Sequence, residues 1–416
     1  MLRQGFANVE MRYYAAMEKI AKTTVCVLIA LLSVRLIVMA VSPVFEPSEA
    51  RYAAISANMA RTSDWLVPRF THKGIYQPFS GKPPLVFQTS ALACRAIGIS
   101  PFAVRIAPFV SFLILLAALF VCTKRLNDAK CAWAAVMACS SSVALYAAAG
   151  FCMTDVPLAC CTTGTLLAYA LFRERPSLAA PLWAGAALGC GMLVKGPVVL
   201  ALCGVAVLAD ATVNRRWNTL FNVRWLAAVP VFFAISTPWF ILMHREDPGF
   251  LRYFFINENL LRFLVHNYGD RYGAGRETFR GMAAIWAFVV ALPWSLIPLK
   301  ALRGGWRRRS WIPHDFFLVS ALAITTFWCL TSRAPLAYLL PIVPLFSVYV
   351  ARSWREDVER FFPGAAALSS VMLVAVILVA AVFSNKLPGS DAQPRLSGSR
   401  YSYEFYHGPW GKGASK

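Results

Sequence analysis

Long apolar runs alternate with short polar connections along most of the chain. Runs long enough to cross about 30 Å of hydrocarbon begin near Ile20, Ala103, Ala129, Val156, Leu178, Pro197, Val223, Phe279, Phe316, Pro335 and Pro363. The pattern predicts an all-α polytopic membrane protein with about eleven transmembrane helices. Two stretches depart from simple hairpins. In residues 43–102, Ala50, Ala53, Ala54, Ala57, Met59 and Ala60 alternate with Arg51, Asn58 and Arg61. This predicts an amphipathic helix from Pro47 to Thr62, with Pro47 at its start and Ser48 and Glu49 in its first turn. A Pro- and Gly-containing connection after Asp64-Trp65 leads to a second amphipathic segment, Leu85 to Ile97. That segment is short for a span and carries Gln88 and Arg95, so it is expected to lie along the membrane surface. Residues 244–278 mix Phe250, Tyr253, Phe254 and Phe255 with Glu258, Arg262 and His266, a blend suited to headgroup level.

Composition agrees with the pattern: 58% hydrophobic residues and a mean hydropathy of +0.56 exceed what a soluble globular chain carries. The first apolar run reads as a retained anchor, since no convincing cleavage site precedes Phe45. Most of the 11 cysteines fall in apolar runs, where they pack as small hydrophobes, and neither a disulfide framework nor a CxxC metal spacing is seen.

Lys and Arg total 41 against 20 Asp and Glu. Part of the excess marks cytoplasmic loops: Lys124-Arg125, Arg173 with Arg175, Arg215-Arg216, Arg303 to Arg309, and Arg352 with Arg355. With the basic N-terminus also cytoplasmic, residues 43–102, Asp155, Lys195, residues 244–278, Arg333 and the C-terminus fall on the opposite, periplasmic side. The cations there (Arg51, Lys82, Lys195, Arg262 and Arg333 among them) exceed what topology asks for. A cationic cavity at a membrane surface suits lipid phosphates. Nucleic acid is a poor fit, because neither a soluble basic domain nor an aromatic RNA-binding signature accompanies the charge.

Three polar stretches stand at the ends of apolar segments: Phe45 to Tyr52, Ser80 to Leu85 and Met153 to Leu158. With Leu193-Val194-Lys195-Gly196-Pro197, Pro248 to Leu251, Tyr253-Phe254-Phe255, Glu258-Asn259 with Arg262, Pro293-Trp294 and Tyr338 to Pro341, they resemble the ordered motifs of a known family. It is that of the GT-C integral-membrane glycosyltransferases, particularly the bacterial aminoarabinose lipid A transferases and the protein O-mannosyltransferases. The resemblance implies a GT-C fold with amphipathic juxtamembrane helices in the first periplasmic loop. It also implies transfer of a sugar from a polyprenyl-phosphate carrier to a lipid A-type lipid or a glycan, at the periplasmic face of a bacterial inner membrane. Three positions depart from the family: Ser48 replaces an Asp proposed as catalytic, Gly81 a Glu and Asn259 a His. The missing Glu and His are associated with metal binding in relatives, so no metal or other cofactor is carried over.

The resemblance and the charge pattern nominate Asp155 and Glu49 as catalytic residues, and Arg51, Tyr52, Lys82, Lys195, Glu258, Arg262 and Tyr338 as donor-phosphate or substrate contacts. Such chemistry needs phosphate neutralised and an acceptor oriented, with a base only for a hydroxyl acceptor. Each candidate also has a structural reading. Asp155 suits a helix cap, Glu49 a first-turn dipole residue, Lys82 a snorkelling cation and Tyr338 an interfacial belt residue. His72 and His266 read as surface residues, and Arg35 as a side chain packed on a polar partner within the first span. Residues 1–385 are expected to form the transmembrane domain, and 386–416 either a short periplasmic tail or a truncated soluble domain. Other readings stay open: transfer to a protein hydroxyl, a non-catalytic relative that binds lipid-linked sugar, and a flippase. A flippase would place its charges near the midplane and at broken helices.

Overall fold

The computed structural model describes residues 2–45, 47–265, 268, 272, 277–298, 314–386 and 401–409. Glu46, His266, Arg271, Arg276 and the basic run Arg303 to Arg309 lie outside them, as does much of the expected tail. The chain opens with α1 (Leu2–Val41) and α2 (Ser48–Thr62), then a hairpin of β1 (Arg69–His72) and β2 (Ile75–Pro78). Next come α3 (Leu85–Ile97), α4 (Pro101–Leu126), α5 (Ala129–Ser140), α6 (Val143–Ala148), α7 (Asp155–Glu174), α8 (Ala179–Lys195), α9 (Val198–Val213) and α10 (Ala228–Glu246). A π-helix (Tyr253–Leu261) precedes α11 (Met282–Val290), α12 (Phe316–Cys329), α13 (Ile342–Ser353), α14 (Arg355–Lys386) and α15 (Tyr401–His407).

Among the described residues, five helical segments are long and apolar enough to cross a membrane: Ala21–Val41, Pro101–Leu126, Asp155–Glu174, Trp217–Glu246 and Arg355–Ala375. Several of the other expected spans are shorter apolar helices of 10–17 residues. In α5 the cause is local. The hydroxyls of Ser141 and Ser142 donate back to the carbonyls of Met137 (2.6 Å) and Ala138 (2.8 Å), which bends a helix. Neighbours then supply the broken backbone: Val143 N–H donates to Leu292 O (3.1 Å), and Ser369 Oγ to Ser141 O (2.6 Å). Irregular backbone among apolar helices is tolerable only when protein satisfies it in this way.

At the centre stands α7, 83% of whose apolar window is buried, packed on α4, α8 and α9. α8 meets α10 through Gly185 and Gly189, one turn apart. A Cβ on Gly185 would run into the Ala228 carbonyl, and one on Gly189 would sit 2.9 Å from Ile235 Cβ. Small residues of this kind let backbones approach where no hydrophobic drive separates helix from lipid. Capping sets the other entries: Ser100 Oγ accepts from Ala103 N–H (3.2 Å) ahead of Pro101, and Asp128 Oδ1 accepts from Cys131 N–H (2.6 Å).

The two segments expected as amphipathic helices are α2 and α3. α3 buries Val86, Phe87, Ala91 and Cys94 while Leu92 and Ile97 point outward, the face an interfacial helix turns to lipid. α2 is less one-sided than expected, with 10 of its 15 residues buried. α3, β1 and α15 all pack on it. The hairpin was not foreseen, because each strand has only four residues. Its turn places Lys73 at φ 51° and Gly74 at φ 77°, the paired positive values of a type I′ turn.

Candidate active site

A cavity of about 540 Å³ opens where the end of α8, the start of α9, the π-helix, the end of α12 and the loop into α13 meet. Val198, Ala201, Phe255, Phe263, Leu264, Phe327 and Trp328 give it an apolar wall. Lys82, Lys195, Glu258, Arg262, Arg333 and Tyr338 supply its polar groups. Residues from positions 82 to 338 thus share one wall, including five of the nine nominated in the sequence.

Asp155 opens α7 and Lys195 closes α8, so each charge complements its helix dipole. Their side chains meet at 2.5 Å (Nζ to Oδ1), and both are buried. Lys195 Nζ also lies 4.0 Å from the centre of the Tyr338 ring, a cation–π contact. Gly196 creates this corner. Its φ of +85° suits glycine, and a Cβ there would lie 2.5 Å from Phe254 Cζ. Pro197 then starts α9. The Lys-Gly-Pro sequence is therefore a turn that leaves the lysine at the cavity.

Lys82 Nζ donates to Glu258 Oε1 (2.5 Å) and to Gly81 O (2.7 Å), while Arg262 Nη1 donates to the same Glu258 oxygen (2.8 Å). Glu258 Oε2 is buried without a partner among the described residues. Glu258 stands in the π-helix, a local widening frequent at functional sites. Asn259 Nδ2 stabilises that turn by donating to Phe254 O (2.7 Å). Gly81 is packed by Phe79, whose Cζ would lie 2.9 Å from an added Cβ, and by Tyr272. The two positions that carry Glu and His in the resembled family therefore hold no pair of metal ligands here.

Tyr52 packs edge-on against Phe87 in α3 and feels the charges of Lys195, Asp155 and Glu258. Burial pushes its phenol pKa up, partly offset by Arg51. Arg51 sits 5.5–5.7 Å from the rings of Tyr52, Phe79 and Tyr401, and its Nε is buried without a partner among the described residues. Glu49 is placed differently. Arg105, 0% exposed, donates Nε to Glu49 Oε1 (2.7 Å) and Nη2 to Oε2 (2.9 Å). Phe45 N–H (3.0 Å) and Cys152 N–H (3.1 Å) donate to the remaining positions of that carboxylate. Glu49 does not line the cavity.

Sequence reasoning passed over Arg105, although an arginine inside an apolar run is itself a signal. It counted Arg333 among the surplus cations without nominating it. Arg35 donates Nη2 to Ala147 O (2.6 Å), the polar partner expected for it. His72, read as a surface residue, is half-buried and approaches the Tyr401 hydroxyl (3.4 Å).

Helices apolar enough to cross a membrane, with a cavity that joins cationic side chains to an apolar wall, define a polytopic membrane protein. Residues 20–254 match the family model of the dolichyl-phosphate-mannose-protein mannosyltransferases, and the chain belongs to that family. Among curated relatives it is similar to the undecaprenyl phosphate-α-4-amino-4-deoxy-L-arabinose arabinosyl transferase of Edwardsiella ictaluri, 27% identical over 75% of this chain and 56% of the relative. The corresponding enzyme of Aeromonas hydrophila is 26% identical over 85% of this chain and 65% of its own. The chain thus spans 56% and 65% of the length of these two relatives. The crystal structure of ArnT from Cupriavidus metallidurans bound to undecaprenyl phosphate shares the fold, with a TM-score of 0.70 at 22% identity. That match covers 87% of this chain and 71% of the other.

Proposed function

We propose that this chain moves a sugar from a polyprenyl-phosphate carrier to a lipid A-type lipid or a glycan, working at the periplasmic face of a bacterial inner membrane. One observation carries the reading: Lys82, Lys195 and Arg262 converge on a cavity whose other wall is apolar. A lipid phosphate presents that combination of charge and hydrocarbon. The relatives named for undecaprenyl-phosphate sugar transfer support the carrier class.

In this reading Lys82 and Arg262, held together by one oxygen of Glu258, neutralise the donor phosphate. The bond between the anomeric carbon and the phosphate oxygen breaks, and the carrier phosphate leaves with the electron pair. An acceptor oxygen forms the new bond. A phosphate acceptor arrives ionised, whereas a hydroxyl acceptor passes its proton to Asp155, whose carboxylate Lys195 holds in place. Tyr338 lines the cavity, while Tyr52 and Arg51, packed on each other at 5.5 Å, brace the first loop. We assign Glu49 a framing role in place of the catalytic one expected from the sequence, because hydrogen bonds already occupy both its oxygens.

The test is mass spectrometry of lipid A, surface glycans and envelope glycoproteins from a deletion strain, complemented with wild type or with Asp155→Asn. A sugar lost on deletion and restored by wild type alone supports the reading and identifies donor and acceptor. A change confined to glycoproteins favours a protein hydroxyl acceptor, the reading the family model suggests. Unchanged glycans under several growth conditions overturn the transferase and favour a non-catalytic lipid-binding protein or a flippase.

A further inference from the structure

Arg333 lies in the loop between α12 and α13, and its side chain is 7% exposed. The backbone fixes its position: Thr278 N–H donates to Ser332 O (2.8 Å), which sets Glu277 beside Arg333. Arg333 Nε then donates to Glu277 Oε1 (2.8 Å). One edge of the guanidinium is held, but Nη1 is buried without a partner among the described residues. A buried charged donor left unmade is costly, so such a group is expected to meet something.

Arg333 lines the cavity already described. Its neighbours in that wall include Phe263, Phe327 and Trp328, with the Phe263 and Phe327 rings stacked at 5.0 Å. Glu258 is shared by Lys82 and Arg262, while Lys195 and Arg333 have one carboxylate each. A planar guanidinium clamped on one edge, beside stacked aromatics, presents a fixed donor to an anionic oxygen at the end of a hydrocarbon chain.

We infer that Arg333 is a substrate-contacting residue, donating through Nη1 to a lipid-borne phosphate. This rests on the reading proposed above. The phosphate belongs either to the donor carrier or to the acceptor lipid, and the experiment separates the two.

Purified full-length protein in nanodiscs is titrated with undecaprenyl phosphate and, separately, with lipid A, for wild type, Arg333→Gln and Arg333→Lys. Wild type is expected to bind, Arg333→Gln to bind one of the two lipids roughly ten- to hundredfold more weakly, and Arg333→Lys to recover most of the loss. The lipid affected identifies the source. Equal binding of both lipids by wild type and Arg333→Gln overturns the inference and leaves the proposed function standing. An equal loss in both variants, matched by an equal fall in melting temperature, overturns it in favour of a purely structural tie to Glu277. Wild type that binds neither lipid overturns the proposed function, and this inference with it.

Discussion

Glu49 and Glu258 are both buried carboxylates, 4% and 6% exposed, and each is paired with arginine. The difference lies in how completely their hydrogen bonds are made. Glu49 accepts at both oxygens from Arg105, Phe45 and Cys152. Arg105 in turn spends its remaining donors on the carbonyls of Met39, Ser42 and Pro43. Glu258 takes Lys82 and Arg262 on one oxygen and leaves the other without a partner among the described residues. A network closed by the protein itself is a frame that ties α1, α2 and α4 together. One left open beside a cavity is where a ligand completes it.

The contrast predicts two kinds of damage. On the open side, Asp155→Asn should lower sugar transfer about 10²- to 10⁴-fold if a hydroxyl acceptor is used; the isosteric amide still accepts from Lys195, so its stability cost should stay below the about 3–5 kcal/mol of a buried charge left without a partner. Transfer assays on membranes paired with melting curves would show it. A stability loss as large as the activity loss would erase the distinction between the two regions. On the closed side, Arg105→Met leaves Glu49 buried and unpaired, at a cost of about 3–5 kcal/mol. Folded yield and melting temperature in detergent should fall sharply, and whatever protein folds should still bind undecaprenyl phosphate.

Gly150→Ala sharpens the same comparison at a lower cost. An added methyl would meet the guanidinium of Arg35, which is 1% exposed and has nowhere to move. A penalty of about 1–3 kcal/mol is expected, read by thermal denaturation.

The smallest effect concerns Glu404, a third buried carboxylate on the closed side. It accepts from Asn58 Nδ2 (2.7 Å) and from Thr71 N–H (2.9 Å), while Arg61 holds the α15 backbone through Phe405 O (2.7 Å). Burial raises its pKa, opposed by these donors and by Arg61. A raised folded-state pKa means that its contribution is full below the ordinary carboxylate range and is lost as pH rises through the elevated value. Limited proteolysis of the 401–409 segment should thus be slower at pH 5 than at pH 8, and Glu404→Gln should flatten that dependence.

Much of the helical plan could be read from hydropathy because insertion penalties punish charge in hydrocarbon at every position. The starts of α4, α5 and α12 follow from their own residues, where Ser100, Asp128 and Asp315 accept from the first free N–H groups. The β-hairpin was less visible, since its four-residue strands gain their stability from Phe70 packing on Phe79, Tyr272 and Tyr401. The burial of α2 was equally hidden, because α15, far away in the chain, covers its outer face.

The sequence by itself determined the helical membrane class, the short helices flanking the first loop and the residue types from which a phosphate site can be built. Periodicity, capping and transfer energy act locally or along one segment. The tertiary structure decided which charges are frame and which face the cavity: it closed Glu49 onto Arg105, opened Glu258 toward Lys82 and Arg262, and set Arg333 beside Glu277. Whether a buried donor or acceptor is satisfied depends on atoms tens to hundreds of residues away, and only the packed chain brings those atoms within reach.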